Sequence, residues 1–181
     1  METPIQTNWY VITGVPSSGK SKLLEHLAFL GYSIYPEIAR IIIDNDISKG
    51  KTIEEIRKSE EDFLKRITKE KILAEARIPI EKLMFWERAI PDDIAYRKCY
   101  GFDTSDVEKV LHKRRYKGIF ILDMLPNYVT DYARTETKEI IEKLHKNLHE
   151  CYSELGYKVI SVPVESIENR AKYILKNIDL L

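Results

Sequence analysis

The chain has only two cysteines in 181 residues, Cys99 and Cys151, and their spacing does not suit a metal site. Cys151 falls on a helical apolar stripe and reads as a core residue of a reducing compartment. No apolar run approaches the roughly 20 residues of a spanning helix. The start, "METPIQTN", has neither the basic nor the apolar region of a signal peptide. A cytoplasmic protein without membrane contact is expected. Net charge is also lacking: 29 Lys and Arg balance 29 Asp and Glu, so no overall field draws the chain to nucleic acid. The one basic cluster, "KRRYK" at 113–117, reads as a solvated helix end. With 44% hydrophobic and 32% charged residues the composition is globular, which excludes a disordered chain.

Glycine is scarce too, at seven residues, yet two of them fall within "GVPSSGKS" at 14–21. The stretch follows the apolar "NWYVIT" and precedes "KLLEHLAFL", whose Leu23, Leu24, Leu27 and Leu30 recur at helical spacing. Gly14 and Gly19 bracket Val15, Pro16, Ser17 and Ser18, and are followed by Lys20, Ser21 and Lys22. This is the G-x-x-x-x-G-K-[ST] pattern in its strand–loop–helix context. Glycine permits the backbone to approach phosphate oxygens, and the helix start offers unpaired N–H groups. Lys20 would neutralise the β- and γ-phosphates of ATP or GTP, and the Ser21 hydroxyl would bind Mg²⁺.

The remaining elements alternate. "YSIYPEI", "EKLMFWER", "GIFILDML" and "YKVISVPV" read as strands, separated by helical stretches that include one long helix from about Thr52 to Ala76. A charged cluster at Glu60 and Glu61 interrupts the stripe of that helix. A turn is expected at Pro91. The order predicts an α/β fold with a mainly parallel sheet, as a single domain over 1–181 with a flexible tail at 1–7.

Three charged constellations lie at predicted strand ends, where ligands gather in open α/β sheets. Glu37 and Arg40 follow the second strand and could hold an acceptor's hydroxyl and an anionic group; a surface ion pair explains them equally well. Glu87 and Arg88 end the third strand. Glu87 suits a general base on an acceptor hydroxyl or a holder of Mg²⁺ through water, and Arg88 suits charge stabilisation on a transferring phosphoryl. Asp123 ends the fourth strand and competes with Glu87 for the magnesium role. Asp92 and Asp93 read as helix N-terminal acids. Arg134, ahead of a long helix, is the candidate arginine of a mobile cover. His145 and His149 share a helix without a third metal ligand.

The string "VITGVPSSGKSKLLEHLAFLGYSIYPEIAR" resembles the start of the AAA-like P-loop family of ATPases and kinases that includes the nicotinamide riboside kinase domain. Gly31, Tyr32, Pro36, Glu37 and Arg40 match its "G-Y…P-E-x-x-R" segment, and "ERAIPDDIAY" is similar to its "D-R-G-x-x-D-x-x-A-Y". "YVTDYAR" and "CYSELGYKVISVP" resemble later segments. Glu87 and Ala89 depart from the family's aspartate and glycine. The "E-R" pair instead looks like the "E-R-S" of deoxynucleoside kinases, in which the glutamate serves as base and the arginine contacts phosphate. The resemblance implies a three-layer P-loop fold with five core strands in the kinase-like order 2-3-1-4-5, and nucleotide use with Mg²⁺. It leaves the acceptor open.

Three functions follow. The leading one is transfer of phosphate from ATP or GTP to a small-molecule, nucleoside or nucleotide acceptor, with Lys20, Glu87, Arg88 and Arg134 as catalytic groups. A nucleotide-hydrolysing switch is the second, although the only glutamine, Gln6, lies in the N-terminal tail, far from any site where it could orient water. Phosphorylation of nucleic-acid ends is the third, disfavoured by the neutral charge.

Overall fold

The computed structural model describes residues 3–111, 113–125 and 137–178. Arg134 lies outside the described residues. Five strands, β2 (Trp9–Thr13), β3 (Ile34–Tyr35), β4 (Met84–Glu87), β6 (Gly118–Leu122) and β7 (Val159–Val162), build a sheet in the order β3-β4-β2-β6-β7 with every pairing parallel. Counted among themselves in chain order, these strands run 2-3-1-4-5, as expected. Two short segments, β1 (Ile5–Gln6) and β5 (Arg114–Arg115), form a separate parallel pair.

The alternation of side chains along a strand separates two cores. Trp9, Val11, Met84, Trp86, Ile119 and Ile121 point to one face. Tyr10, Ile12, Phe85, Phe120 and Leu122 point to the other. Helices α1 (Lys20–Phe29) and α8 (Ile167–Ile178) cover the second face with Leu23, Leu24, Leu27, Ala171 and Ile174. The first face is covered by α2 (Ile38–Ser48), α3 (Ile53–Ile56), α4 (Glu60–Arg77), α5 (Ile90–Tyr100), α6 (Ser105–Leu111) and α7 (Lys138–Glu154). Three layers result, and the central strands β2 and β6 are buried along their whole length, which explains their uninterrupted apolar sequence. Among the described residues no helix is long and apolar enough to cross a membrane.

Four local expectations need correction. The helix expected from Thr52 to Ala76 is two helices. Thr52 caps α3, accepting from the Glu55 N–H at 3.2 Å, and Ser59 caps α4, accepting from the Asp62 N–H at 3.2 Å. The charged cluster that seemed to interrupt a stripe is the acidic first turn of α4, placed where the helix dipole favours it. Pro91 is no turn but part of the first turn of α5, where a missing N–H costs nothing.

"KRRYK" is not a helix end. Its Arg114 and Arg115 form β5, and the Arg115 guanidinium donates to the carbonyls of Leu155 at 3.2 Å and Gly156 at 2.6 Å while stacking 4.3 Å over Tyr157. The tail expected at 1–7 is tied down from Ile5 onward. The Ile5 and Thr7 N–H groups donate to Lys113 and Arg115 carbonyls at 3.1 and 3.0 Å, and Thr7 is buried.

Candidate functional site

Residues 14–19 link the end of β2 to the start of α1 and are shaped by contacts on both sides. Gly14 has φ 142°, and a Cβ there would lie 2.9 Å from the Leu122 carbonyl oxygen of the adjacent strand. Gly19 has φ 89°, and Ser17, with φ 61°, holds the left-handed conformation that L-residues disfavour by about 1–2 kcal/mol. Arg170 of α8 braces the loop from behind, donating to the Ser18 carbonyl at 2.7 Å and the Pro163 carbonyl at 2.9 Å. Lys20 is buried and folds back, its ammonium donating to the Val15 carbonyl at 2.8 Å. Helix α1 has no acid in its first turn and no side chain capping it, so its N-terminus retains the donors an anion needs.

Strand β4 runs beside β2, with Glu87 in register with Ile12. This brings the buried Glu87 carboxyl to Ser21, whose hydroxyl donates to it at 2.8 Å. Asp123 ends β6 on the other side of β2, and no comparable contact joins it to Ser21 among the described residues. Arg88 then turns the chain with φ 61°. Such strain in a bulky residue persists only where its surroundings enforce it. Its N–H donates to the Ile12 carbonyl at 3.1 Å, its Nε donates to Glu37 at 2.7 Å, and its guanidinium lies 5.0 Å over the Tyr96 ring. Its Nη1 is buried 3.6 Å from Asp92 without a hydrogen-bond partner.

The two glutamates around Arg88 are driven apart. Burial raises the Glu37 carboxyl, but Arg88 and Lys20 outweigh it and hold the group near a pKa of about 2. Burial raises Glu87 as well, the Glu37 charge adds to this, and Lys20 and Ser21 do not offset them.

A cleft opens in front of Arg88, walled by α2, α4 and α5 and spanning about 740 Å³ with its solvent-open mouth included. Glu37, Arg40, Arg88 and Lys20 stand at its polar end, and Ile43, Phe63, Leu64 and Ile67 supply apolar wall. Glu87 is not among the lining residues. Arg57 holds Glu60 through two hydrogen bonds of 3.0 and 2.6 Å, and Lys71 holds Asp93 at 2.5 Å while also donating to the Ala89 carbonyl. Burial raises the Asp93 carboxyl against the pull of Lys71 and Thr68.

Of the residues singled out in the sequence, the phosphate loop, Glu37, Arg40, Glu87 and Arg88 are brought together. Asp92 and Asp93 are more than helix-start acids. Asp92 is fully buried and accepts from the Ala89 N–H at 2.9 Å, from the Tyr152 hydroxyl at 2.5 Å and from the Thr13 hydroxyl, which ties α5 and α7 to the strand that carries the loop. Lys71 and Arg170 were not anticipated. Lys71 lies four residues beyond Ile67 and eight beyond Phe63 on the apolar face of α4, so its place in the stripe was the available signal. Nothing local marks Arg170.

A family model described as an AAA domain matches residues 9–170. No curated protein sequence matches the chain. Among solved structures, deoxyadenosine kinase from M. mycoides with the products dCMP and dCDP is similar, with 16% identity, a TM-score of 0.63, and coverage of 96% of this chain and 100% of that one. Thymidylate kinase from Ehrlichia chaffeensis gives 14% identity, a TM-score of 0.65, and coverage of 98% and 100%. The NadR protein in complex with NR gives 19% and 0.72; 96% of this chain is covered, and it spans about half, 51%, of that protein. The chain therefore belongs to the AAA domain family and carries the P-loop kinase fold.

Proposed function

We propose that the chain is a phosphotransferase that moves the γ-phosphoryl of ATP or GTP to a hydroxyl of an uncharged, nucleoside-like acceptor. The observation that carries this is the Arg88–Glu37 ion pair at the polar end of the cleft, beside Lys20, with Arg88 Nη1 buried 3.6 Å from Asp92 and lacking a hydrogen bond. A hydrolytic switch has no use for an enclosed cleft beside its phosphate site. The acceptor is taken as uncharged because Arg57, Lys71 and Arg88 each already hold a carboxylate, which leaves the cleft poorly suited to a second phosphate. Deoxyadenosine kinase and NadR, whose structures hold dCMP and NR, are similar in fold.

In this mechanism the acceptor oxygen forms a bond to the γ-phosphorus as the bond to the β–γ bridging oxygen breaks, and the hydroxyl proton passes to a carboxylate. Glu37 lines the cleft and stays ionised, so it orients that hydroxyl and receives the proton; the loose transition state demands little base strength. Arg88 and Lys20 stabilise charge on the phosphoryl oxygens. Ser21 and Glu87, joined at 2.8 Å beside the loop, would hold a magnesium ion, which when bound would supply neutralisation of phosphate charge. This geometry favours the magnesium role for Glu87 over that of base.

The test is a panel of nucleosides and their monophosphates with MgATP or MgGTP, read by phosphorylated product. Transfer to nucleosides is expected, falling about 10²–10⁴-fold in Glu37→Gln, while Glu87→Gln raises the Mg²⁺ concentration needed for half-maximal turnover. Acceptor-independent hydrolysis that survives both substitutions would refute the proposal.

A further inference from the structure

A second cavity lies away from the phosphate loop, at the N-terminal ends of β6 and β7, and encloses about 670 Å³ with its mouth included. Its apolar wall comes from Val110 and Leu111 of α6 and Leu155 at the end of α7. Its polar groups are Glu75 of α4, Glu154 of α7, Tyr116, Tyr157 and the two arginines of β5.

The two arginines are used differently. Arg115 spends its guanidinium on the carbonyls of Leu155 and Gly156 and on the face of Tyr157. Arg114 stacks 5.7 Å over Trp9, and its Nε is buried without a hydrogen-bond partner. A buried donor left unpaired costs about 1–3 kcal/mol, so a small shift that brings this guanidinium onto an acceptor in the cavity is favoured. The carboxyls nearby do not oppose one. Tyr116 donates its hydroxyl to Glu75, and burial pushes Glu75 up to about 7, so its negative charge is only partly developed at neutral pH. Glu154 at the rim is exposed and held by Lys98 at 3.2 Å.

We propose that this cavity binds a small organic carboxylate, its anionic head on the Arg114 guanidinium and its apolar body against Val110, Leu111 and Leu155. A single guanidinium suits a monoanion, and the apolar wall selects against a bare inorganic ion. The site is also tied to the catalytic strand end. The Tyr116 hydroxyl that contacts Glu75 accepts from the Ile90 N–H at 3.4 Å, two residues beyond Arg88. The proposal stands whether or not the cleft is a kinase site.

The experiment titrates the full chain with phenylacetate and hexanoate, and with phenylacetamide as the uncharged counterpart, following resonances of the protein by NMR. Saturable binding of both carboxylates is expected, about 10- to 100-fold tighter than the amide. It should be lost by a similar factor in Arg114→Met, partly kept in Arg114→Lys, and unaffected by saturating ATP. Because Arg114 also packs on Trp9, unfolding temperatures of both variants are compared with wild type; if Arg114→Met does not fold, Arg114→Gln, which keeps a donor without the charge, takes its place. Absence of saturable binding, equal binding of the amide, displacement by ATP, or binding undiminished in the folded uncharged variant would each overturn the proposal.

Discussion

Helix α4 buries a lysine and a glutamate one turn apart, each facing a different cavity. Lys71 looks into the cleft beside Arg88, where it meets Asp93 at 2.5 Å and the Ala89 carbonyl at 2.8 Å. Glu75 looks into the second cavity, where its direct partner is a neutral phenol and the charges of Arg114 and Lys71 act without touching it. Burial raises Glu75 and Asp93 alike. The difference lies in what removal does. Taking Lys71 away strands a buried acid without its counter-charge, whereas neutralising Glu75 removes a charge its surroundings scarcely support. On one side of the molecule buried charges are matched to counter-charges, and on the other a carboxyl leans toward its neutral form.

The largest effect expected from this contrast is in Lys71→Met, which should lower unfolding free energy by about 3–5 kcal/mol in denaturant titration. The double variant Lys71→Met/Asp93→Asn should cost less than the single one. A loss within the roughly 0–1 kcal/mol of an exposed pair would break the comparison. Next is Lys20→Ala, which removes the buried cation that donates to the Val15 carbonyl and the Ser18 hydroxyl. Phosphoryl transfer should fall about 10²–10³-fold, with the fold intact by circular dichroism.

Glu75 gives a pH-dependent prediction. Folded, it keeps its proton up to about pH 7, and unfolded only to about 4.5. Between these values the folded chain binds more protons, so its stability falls as pH rises, by at most about 3 kcal/mol. Glu75→Gln, which can still accept from Tyr116, should remove that slope and leave the variant more stable than wild type at pH 8. A wild-type unfolding curve that is flat from pH 5 to 7.5, or a variant that is less stable at pH 8, would end the argument. The smallest effect sharpens the boundary of α4 itself. Ser59→Ala removes the cap that starts the helix and should cost about 1 kcal/mol.

Much of the fold was legible because its signals are local. The unbroken apolar runs of β2 and β6 announced central strands, and the strand order followed from the likeness of "GVPSSGKS" and "PEIAR" to a known family. What failed also failed locally. The break at 57–59 was hidden because Ser59 and Glu60–Asp62 look alike as a polar interruption and as a helix start. "KRRYK" looked solvated because its partners, Thr7 and the carbonyls of Leu155 and Gly156, are distant in sequence. In the site, Glu37, Glu87 and Arg88 were marked by their places at strand ends. The contacts that separate them were not, because Ser21 and the cleft reach them from other elements.

The sequence alone determined a G-x-x-x-x-G-K-S loop between strand and helix, since glycine, lysine and serine at fixed spacing act through the backbone that holds them. It also determined that charged residues end the strands beside that loop. Only the tertiary structure decided which charges face one another. Parallel pairing sets Glu87 beside Ser21, the left-handed turn at Arg88 aims its guanidinium at Glu37, and the packing of α4 on α5 seats Lys71 on Asp93. Electrostatic energy depends on distances across space and on exclusion of water, and neither is encoded by spacing along the chain.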